Sequence, residues 1–458
     1  MSSNQATFDW AEKQFSNVRL FNKTRKARLI QIAVNLAEGK GTSLARLFDN
    51  WYDTKAMYNL LKHPVMTPDT IQETHRNLAY DNIVHWPGDV LAIEDASEFE
   101  WNNKDPIEGL GPIGSGRKQD QGFILHSTLA LGICDNNDSA MVLGLPFQQF
   151  YVRPPTRTDR KKRSHTSEPI ETDLWRNIIK KEALPPQDNV IRVCDRAADI
   201  YEVIQETKEY GCRHIIRLRH DRVVTEPKEL SIKTLMKDLE SMGQTIIEKR
   251  LKNGSKKELL NLNINWQKVC LRAPSRPGSG IGKLPPLEET VVHAWGCLEN
   301  GELIEWFLYM DLEVNSLEDA IKAIQYYAKR WVIEDYHKTL KTGLRAEDLQ
   351  LETAHAIFAA ISIMSVVALR LLDLRERLRV NPDAPANESG FSELELKVLG
   401  KYLKRELKTV KCVVLAIGRL GGHQNRKSDG MPGVLCLWWG LSRFLTIMEG
   451  VQLAQVGG

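Results

Sequence analysis

The feature that most constrains the fold is a pair of carboxylates set inside an apolar strand, in the stretch "DVLAIEDASEFEW" at residues 89–101. Side chains of a strand alternate between faces, so Glu94 and Asp95 must point to opposite sides and only one of them can open onto a shared site. An ionised group in such a strand is costly to bury unless it is paired or metal-bound. Two further runs, "GFILHSTLALGIC" and "SAMVLGLPFQQFYVR", are separated by Gly, Asn and Asp turns and predict an antiparallel sheet with the first. Beyond the loop "RPPTRTDRKKRSHTSEPIET" and a predicted helix, "NVIRVCDRAADIYEVIQETKEYG" and "CRHIIRLRHDRVV" read as strand, helix, strand. Together these predict a mixed sheet of the α/β class.

At 458 residues the chain is too long for one ordinary core. Residues 1–75 read as helical and locally basic, with Arg25, Lys26 and Arg28 at the head of "NKTRKARLIQIAVNLAEG". Residues 76–220 hold the first part of the α/β unit, 221–313 a β-rich insertion of hairpins, 314–375 its second part, and 376–458 a last helical region. The formal charge of +3 announces no nucleic acid by itself, so a DNA-binding surface requires local segregation of charge. Seven scattered cysteines without a CxxC pair argue for a reducing cytoplasm and against a disulfide framework or a zinc site. The start lacks the pattern of a secretory signal. The most apolar stretch, "AIFAAISIMSVVALRLL", is short for a membrane span and ends in arginine, so a buried helix is expected.

The segment "YYAKRWVIEDYHKTLKTG" (326–343) reads as one amphipathic helix. Tyr327, Arg330, Glu334, Lys338 and Lys341 fall within roughly a quarter of its circumference. Val332, Ile333, Tyr336 and Leu340 take the other side. The plain account is a solvated face stitched by pairs such as Arg330 with Glu334; the functional one needs partners elsewhere. Asp195, at the end of "VIRVCD", is such a partner, because open α/β sheets place their chemistry at the carboxyl ends of strands. An N-cap for "RAADI" is the alternative for that residue.

"LAIEDASEF", "VCDRAADI" and "YAKRWVIEDYHKTLKTG" together resemble the three catalytic blocks of bacterial cut-and-paste DDE transposases, specifically the IS-four family and its Tn-five transposase group. The third block matches the family's Tyr, Arg, Glu, Lys signature with Tyr327, Arg330, Glu334 and Lys341. The likeness extends to "DWAEKQF", "TRKARLIQIAVNLA", "TKAMYNLLKHP" and "AIGRLGG", and so spans most of the chain. It implies an RNase H-like core, a helical N-terminal DNA-binding region and a C-terminal dimerisation region.

It further implies that Asp95, Asp195 and Glu334 bind two divalent ions, Mg²⁺ or Mn²⁺, for in-line phosphoryl displacement. By the same resemblance Tyr327, Arg330, Lys338, Lys341 and Arg217 contact DNA phosphates, and Trp306 stacks on a flipped base, with sheet core as its alternative. Trp331 is expected in the same pocket or in the core. His337 is either a phosphate contact or a hydrogen-bonded structural histidine. The basic run 157–163 is either a nonspecific DNA contact or a solvated loop. The activity implied is a transposase that binds inverted ends as a homodimer, cuts them through a hairpin intermediate and joins them to target DNA, in the bacterial cytoplasm at the nucleoid, with no membrane partner. A catalytically silent DNA-binding inhibitor and a simpler metal-dependent nuclease are the alternatives.

Overall fold

Residues 90–94 are buried on both faces, whereas 95–101 alternate between buried and open, so the first strand must be central at its start and half-covered at its end. A computed structural model of the chain describes residues 3–39, 43–102, 105–114, 120–134, 139–154, 170–250, 257–275, 283–426 and 429–456. The basic run 157–163 lies outside the described residues.

The strands are β1 (Val90–Trp101), β2 (Gly111–Pro112), β3 (Gln121–Ile133), β4 (Ala140–Tyr151), β5 (Val190–Cys194), β6 (Arg213–Arg217), β7 (Val223–Glu226), β8 (Leu230–Ser231), β9 (Gly243–Arg250), β10 (Lys257–Leu271), β11 (Leu287–Cys297) and β12 (Leu303–Met310). They form one mixed sheet in the order β2-β3-β1-β5-β6-β12-β11-β10-β7-β8, with β4 on β3 and β9 on β10. β1, β3 and β4 pair antiparallel, while β1, β5 and β6 run parallel. The hairpin-rich residues 221–313 thus extend the same sheet through β12 rather than building a sheet of their own.

Helices α1 (Ser3–Phe15), α2 (Lys23–Ala37), α3 (Trp51–Leu61) and α4 (Pro68–Val84) precede the sheet. Each of the last three starts at a side-chain cap: Asn22, Asn50 and Thr67 accept from backbone N–H groups of the first turn. α4 packs on β4, so an expected division after residue 75 falls inside one continuous helix. α5 (Asn177–Lys180) and α6 (Tyr201–Tyr210) follow β4 and β5, and α7 (Ile232–Lys237) lies among the hairpins. α8 (Leu317–Ala328), α9 (Trp331–Lys338) and α10 (Ala354–Val380) return the chain to the core.

The stretch Ala354–Asp373 of α10 has the length and hydropathy of a membrane span, yet 83% of it is buried against β4, α4 and α2. It is therefore the central helix of the core, and it runs past an expected division at residue 375. α11 (Glu393–Leu403), α12 (Val410–Leu420) and α13 (Val434–Val456) share a separate apolar cluster around Leu399, Val413, Ile417 and Phe444. The apolar stretch Val434–Val451 of α13 is only 28% buried.

His75 ties the N-terminal helices to the sheet. Its Nε2 accepts from the Leu145 N–H at 3.1 Å and its Nδ1 lies 2.6 Å from Gln14 Oε1, which fixes the neutral ring with the proton on Nδ1. Burial, with Arg76 beside it, pushes its pKa down from 6.5 to about 3. A histidine depressed in the fold stabilises it above the unfolded value and loses that contribution as pH falls from 6.5 toward 3, because the unfolded chain binds the proton first. Urea midpoints are therefore expected to fall between pH 7 and pH 5, and His75→Gln is expected to flatten that dependence. An unaltered slope in the variant would remove His75 from the account.

Candidate active site

β1 lies between β3 and β5, and the register fixes what faces what: Asp95 is opposite Ser127 on β3, while Glu94 is opposite Cys194 on β5. The pairing of β1 with β5 ends at Glu94 and Cys194, and Asp95 and Asp195 are the residues that follow. The two carboxylates are close enough at the carboxyl end of β5 for the charge of Asp95 to act on Asp195. Asp195 also caps the short turn Arg196–Ala198, accepting from the Ala197 N–H at 2.8 Å. Capping engages one oxygen and leaves the other, so both readings of that residue are compatible.

The opposite face of β1 holds a buried charge network. Arg192 Nε and Nη2 donate to the two oxygens of Glu94 at 2.5 and 2.9 Å, and Nη2 also donates to the Trp175 carbonyl at 2.7 Å. Nη1 reaches Thr207, and His126 Nε2 lies 3.6 Å from Glu94. All four side chains are buried. The clamp bolts β1 to β5 directly behind the two aspartates.

On the site face, His337 Nδ1 lies 3.5 Å from Asp95 Oδ2, and its Nε2 lies 3.4 Å from Ser127 Oγ. Gln148 Nε2 donates to Ser127 Oγ and to the Tyr336 hydroxyl, each at 2.9 Å, and Gln148 Oε1 accepts from Gln72 at 2.7 Å. This buried polar layer beneath Asp95 was not anticipated from the sequence. Its only trace there is the polar "HST" and "QQ" inside otherwise apolar strands. His337 is thus buried between Ser127 and the candidate carboxylate Asp95.

Residues 326–343 are not one helix. Arg330 N–H bonds Tyr327 C=O at 3.0 Å and Ile333 N–H bonds Arg330 C=O at 3.2 Å, a tight three-residue spacing that separates α8 from α9. After α9 the chain makes a wide turn, Thr339–Gly343, closed by Leu344 N–H to Thr339 C=O at 2.9 Å. Tyr327, in the last turn of α8, lies in the core, where burial raises its pKa. Trp306 is 6% exposed and packs edge-on against Tyr327, ring centroids 5.3 Å apart. Its position is that of a sheet-core residue; Trp331, half exposed over Arg330, is the aromatic at the surface of the site.

Arg330 is the electrostatic centre. It donates to Glu334 at 2.7 Å, and its charge acts on Asp95 and Asp195 as well. Its buried Nε has no hydrogen-bond partner among the described residues. For Asp95, burial works against ionisation, but His337, Arg330 and the Ala96 N–H outweigh it and hold the pKa below the usual carboxylate value. Asp195 is pushed up, first by burial and then by the charge of Asp95, against the Ala197 N–H, Arg330 and Arg217.

Glu334 is exposed and given to Arg330, the nearest cation one turn earlier, so the three carboxylates do not form a closed cluster. Among the described residues no three of His, Cys, Asp and Glu are grouped to hold a metal ion. The donor chemistry nonetheless suits a hard divalent cation: two adjacent carboxylates whose mutual repulsion shows in Asp195, and a third within reach of the same arginine.

The other basic residues separate into engaged and open groups. Lys341 is held by Glu347 at 3.2 Å and by the Glu98 carbonyl, over the Phe99 ring. Arg217 donates to the Glu305 carbonyl at 3.2 Å beside Tyr327. Lys338 is exposed. In the N-terminal region Arg25 is half-buried, Lys26 donates to the Ser16 carbonyl at 3.0 Å, and Arg28 pairs with Asp53 at 2.6 Å, which leaves Arg28 less available to a phosphate than its place in the sequence suggests.

Two family models match the chain. One, described as transposase DNA-binding, covers residues 8–66 and so includes α2 and α3. The other, described as transposase DDE domain, covers residues 161–370 and includes Asp195 and Glu334, with Asp95 upstream of it.

Proposed function

Because the chain is a DDE-type DNA transposase, an enzyme dependent on a divalent metal ion, we propose that it is a cut-and-paste transposase of the IS-four family and Tn-five group. It binds inverted ends of its element, cleaves them through a hairpin and joins the 3'-hydroxyls to target DNA. The observation that carries this reading is the register of β1 and β5, which supports Asp95 and Asp195 as a pair, with Glu334 linked to both through Arg330.

Asp95, Asp195 and Glu334 would hold two Mg²⁺ or Mn²⁺ ions, which supply charge stabilisation for the attacking and leaving oxygens of an in-line displacement. Glu334, here paired with Arg330, would complete that set. Arg330 would offer its forked guanidinium to a phosphate of the DNA end. Lys338, Lys341 and Arg217 line the path of the backbone, and Trp331 offers its half-exposed ring to a displaced base. Trp306 takes that role only if Tyr327 and its neighbours move aside. His337 and the Ser127–Gln148 layer orient Asp95 from below.

The partly bare α13, with Trp439 exposed on it, is the surface on which two copies meet in the synaptic complex. Seven free cysteines support action in the cytoplasm, at the nucleoid.

The test is product analysis on a duplex carrying the element's end with Mg²⁺. Sequential nick, hairpin and strand-transfer products are expected. Nicks alone would favour the simpler nuclease, and binding without cutting the silent inhibitor. Trp306→Leu, which keeps the core filled, is expected to leave the nick-to-hairpin ratio unchanged, whereas Trp331→Ala is expected to lower hairpin yield more than nicking. The reverse pattern would return the base-stacking role to Trp306.

A further inference from the structure

Resting on the reading that residues 8–66 engage DNA, we propose that Trp51 and Tyr52 contact bases of the element's end and set its sequence preference. These two adjacent aromatics open α3 and are 73% and 79% exposed. The opposite side of the same helix is committed to the core through Thr54, Met57, Leu60 and Leu61. Large aromatics of a soluble domain are ordinarily covered, so two neighbours left bare on a helix that already has a buried face call for a partner.

A cleft of about 450 Å³ lies between α2 and the start of α3, lined by Thr24, Arg28, Gln31, Asn35, Phe48 and Asn50 among others. The Arg28–Asp53 ion pair sits in this cleft and spends the charge of Arg28. The Asn35 and Asn50 amides of the cleft are engaged by Leu47, Gln31 and Asp53, and Asp49 adds a carboxylate, so the groups open to a base are the two bare rings at the start of α3. Residues 8–66 hold ten Lys and Arg against five Asp and Glu, a net +5 that exceeds the +3 of the whole chain, although Arg19, Arg28 and Lys62 are ion-paired. Phosphates are drawn to this region, and the exposed rings are placed to take bases.

The test uses the full-length protein and two duplexes, one carrying the terminal inverted repeat that flanks the coding region and one scrambled. For Trp51→Ala/Tyr52→Ala, affinity for the end is expected to drop about tenfold or more, with affinity for the scrambled duplex and the salt slope unchanged. Lys23→Ala/Arg25→Ala is expected to weaken both duplexes and flatten the salt slope. Both aromatics are exposed, so the melting temperature is expected to hold. Undiminished preference for the end in the aromatic variant, while the basic variant binds worse, would overturn the inference and leave residues 8–66 as the DNA-binding region. A wild-type protein without preference for its end would overturn that reading and the inference with it. A shift in sedimentation with unchanged DNA binding would assign the rings to a second copy of the chain, and would also overturn it.

Discussion

Asp195→Ala is expected to bind the element's end nearly as well as the wild type and to lose strand cleavage by at least about a thousandfold. On the proposed reading affinity rests on cations and base contacts distant from β5, whereas Asp195 directly follows β5 and feels the charge of Asp95. The same outcome is expected for Glu334→Ala, with one difference. Losing Glu334 also frees Arg330, whose side chain is mostly buried, so the variant is expected to bind DNA slightly more tightly. Gel-shift and cleavage assays on the same preparations separate the two effects. Persistent Mg²⁺-dependent cutting by either variant would discard the assignment.

Arg192→Ala is expected to be the most destabilising substitution near the site. The guanidinium is 1% exposed and makes contacts to Glu94, Thr207 and the Trp175 carbonyl; its removal strands the Glu94 carboxylate in a sealed interior. Breaking a buried pair in this way costs about 3–5 kcal/mol. Replacing both partners with apolar residues, as in Glu94→Leu/Arg192→Met, is expected to restore much of that stability, because no uncompensated charge is left behind. Urea unfolding measures both. If the double variant is as unstable as the single one, the clamp works by shape and not by charge balance.

The sequence made these features legible to different depths. Strand alternation put Glu94 and Asp95 on opposite faces, and the strand-helix-strand pattern put Asp195 at the end of a strand, as β5 ends at Cys194. Those readings rest on local periodicity and short-range topology, which survive in a single chain. The break between α8 and α9 did not show, because Lys329 and Arg330 keep helical dihedral angles and only their hydrogen-bond spacing changes.

Tyr327 was expected on a charged face and lies in the core. The polar layer of Ser127, Gln148 and Gln72 was hidden for another reason: it joins residues from β3, β4 and α4, up to 76 positions apart, and no window of sequence contains it. Likewise, the partner of Arg28 is Asp53, on the next helix, a tertiary choice that a count of basic residues misses.

The central claim is that Asp95, Asp195 and Glu334 share divalent cations. Crystals of the protein bound to its cleaved end and soaked in Mn²⁺ test it most directly. Two anomalous peaks are expected within about 2.2 Å of carboxylate oxygens, with Asp95 and Asp195 both ligating and Glu334 turned from Arg330 onto the metal. Manganese bound elsewhere, with Glu334 still on Arg330, would contradict the account.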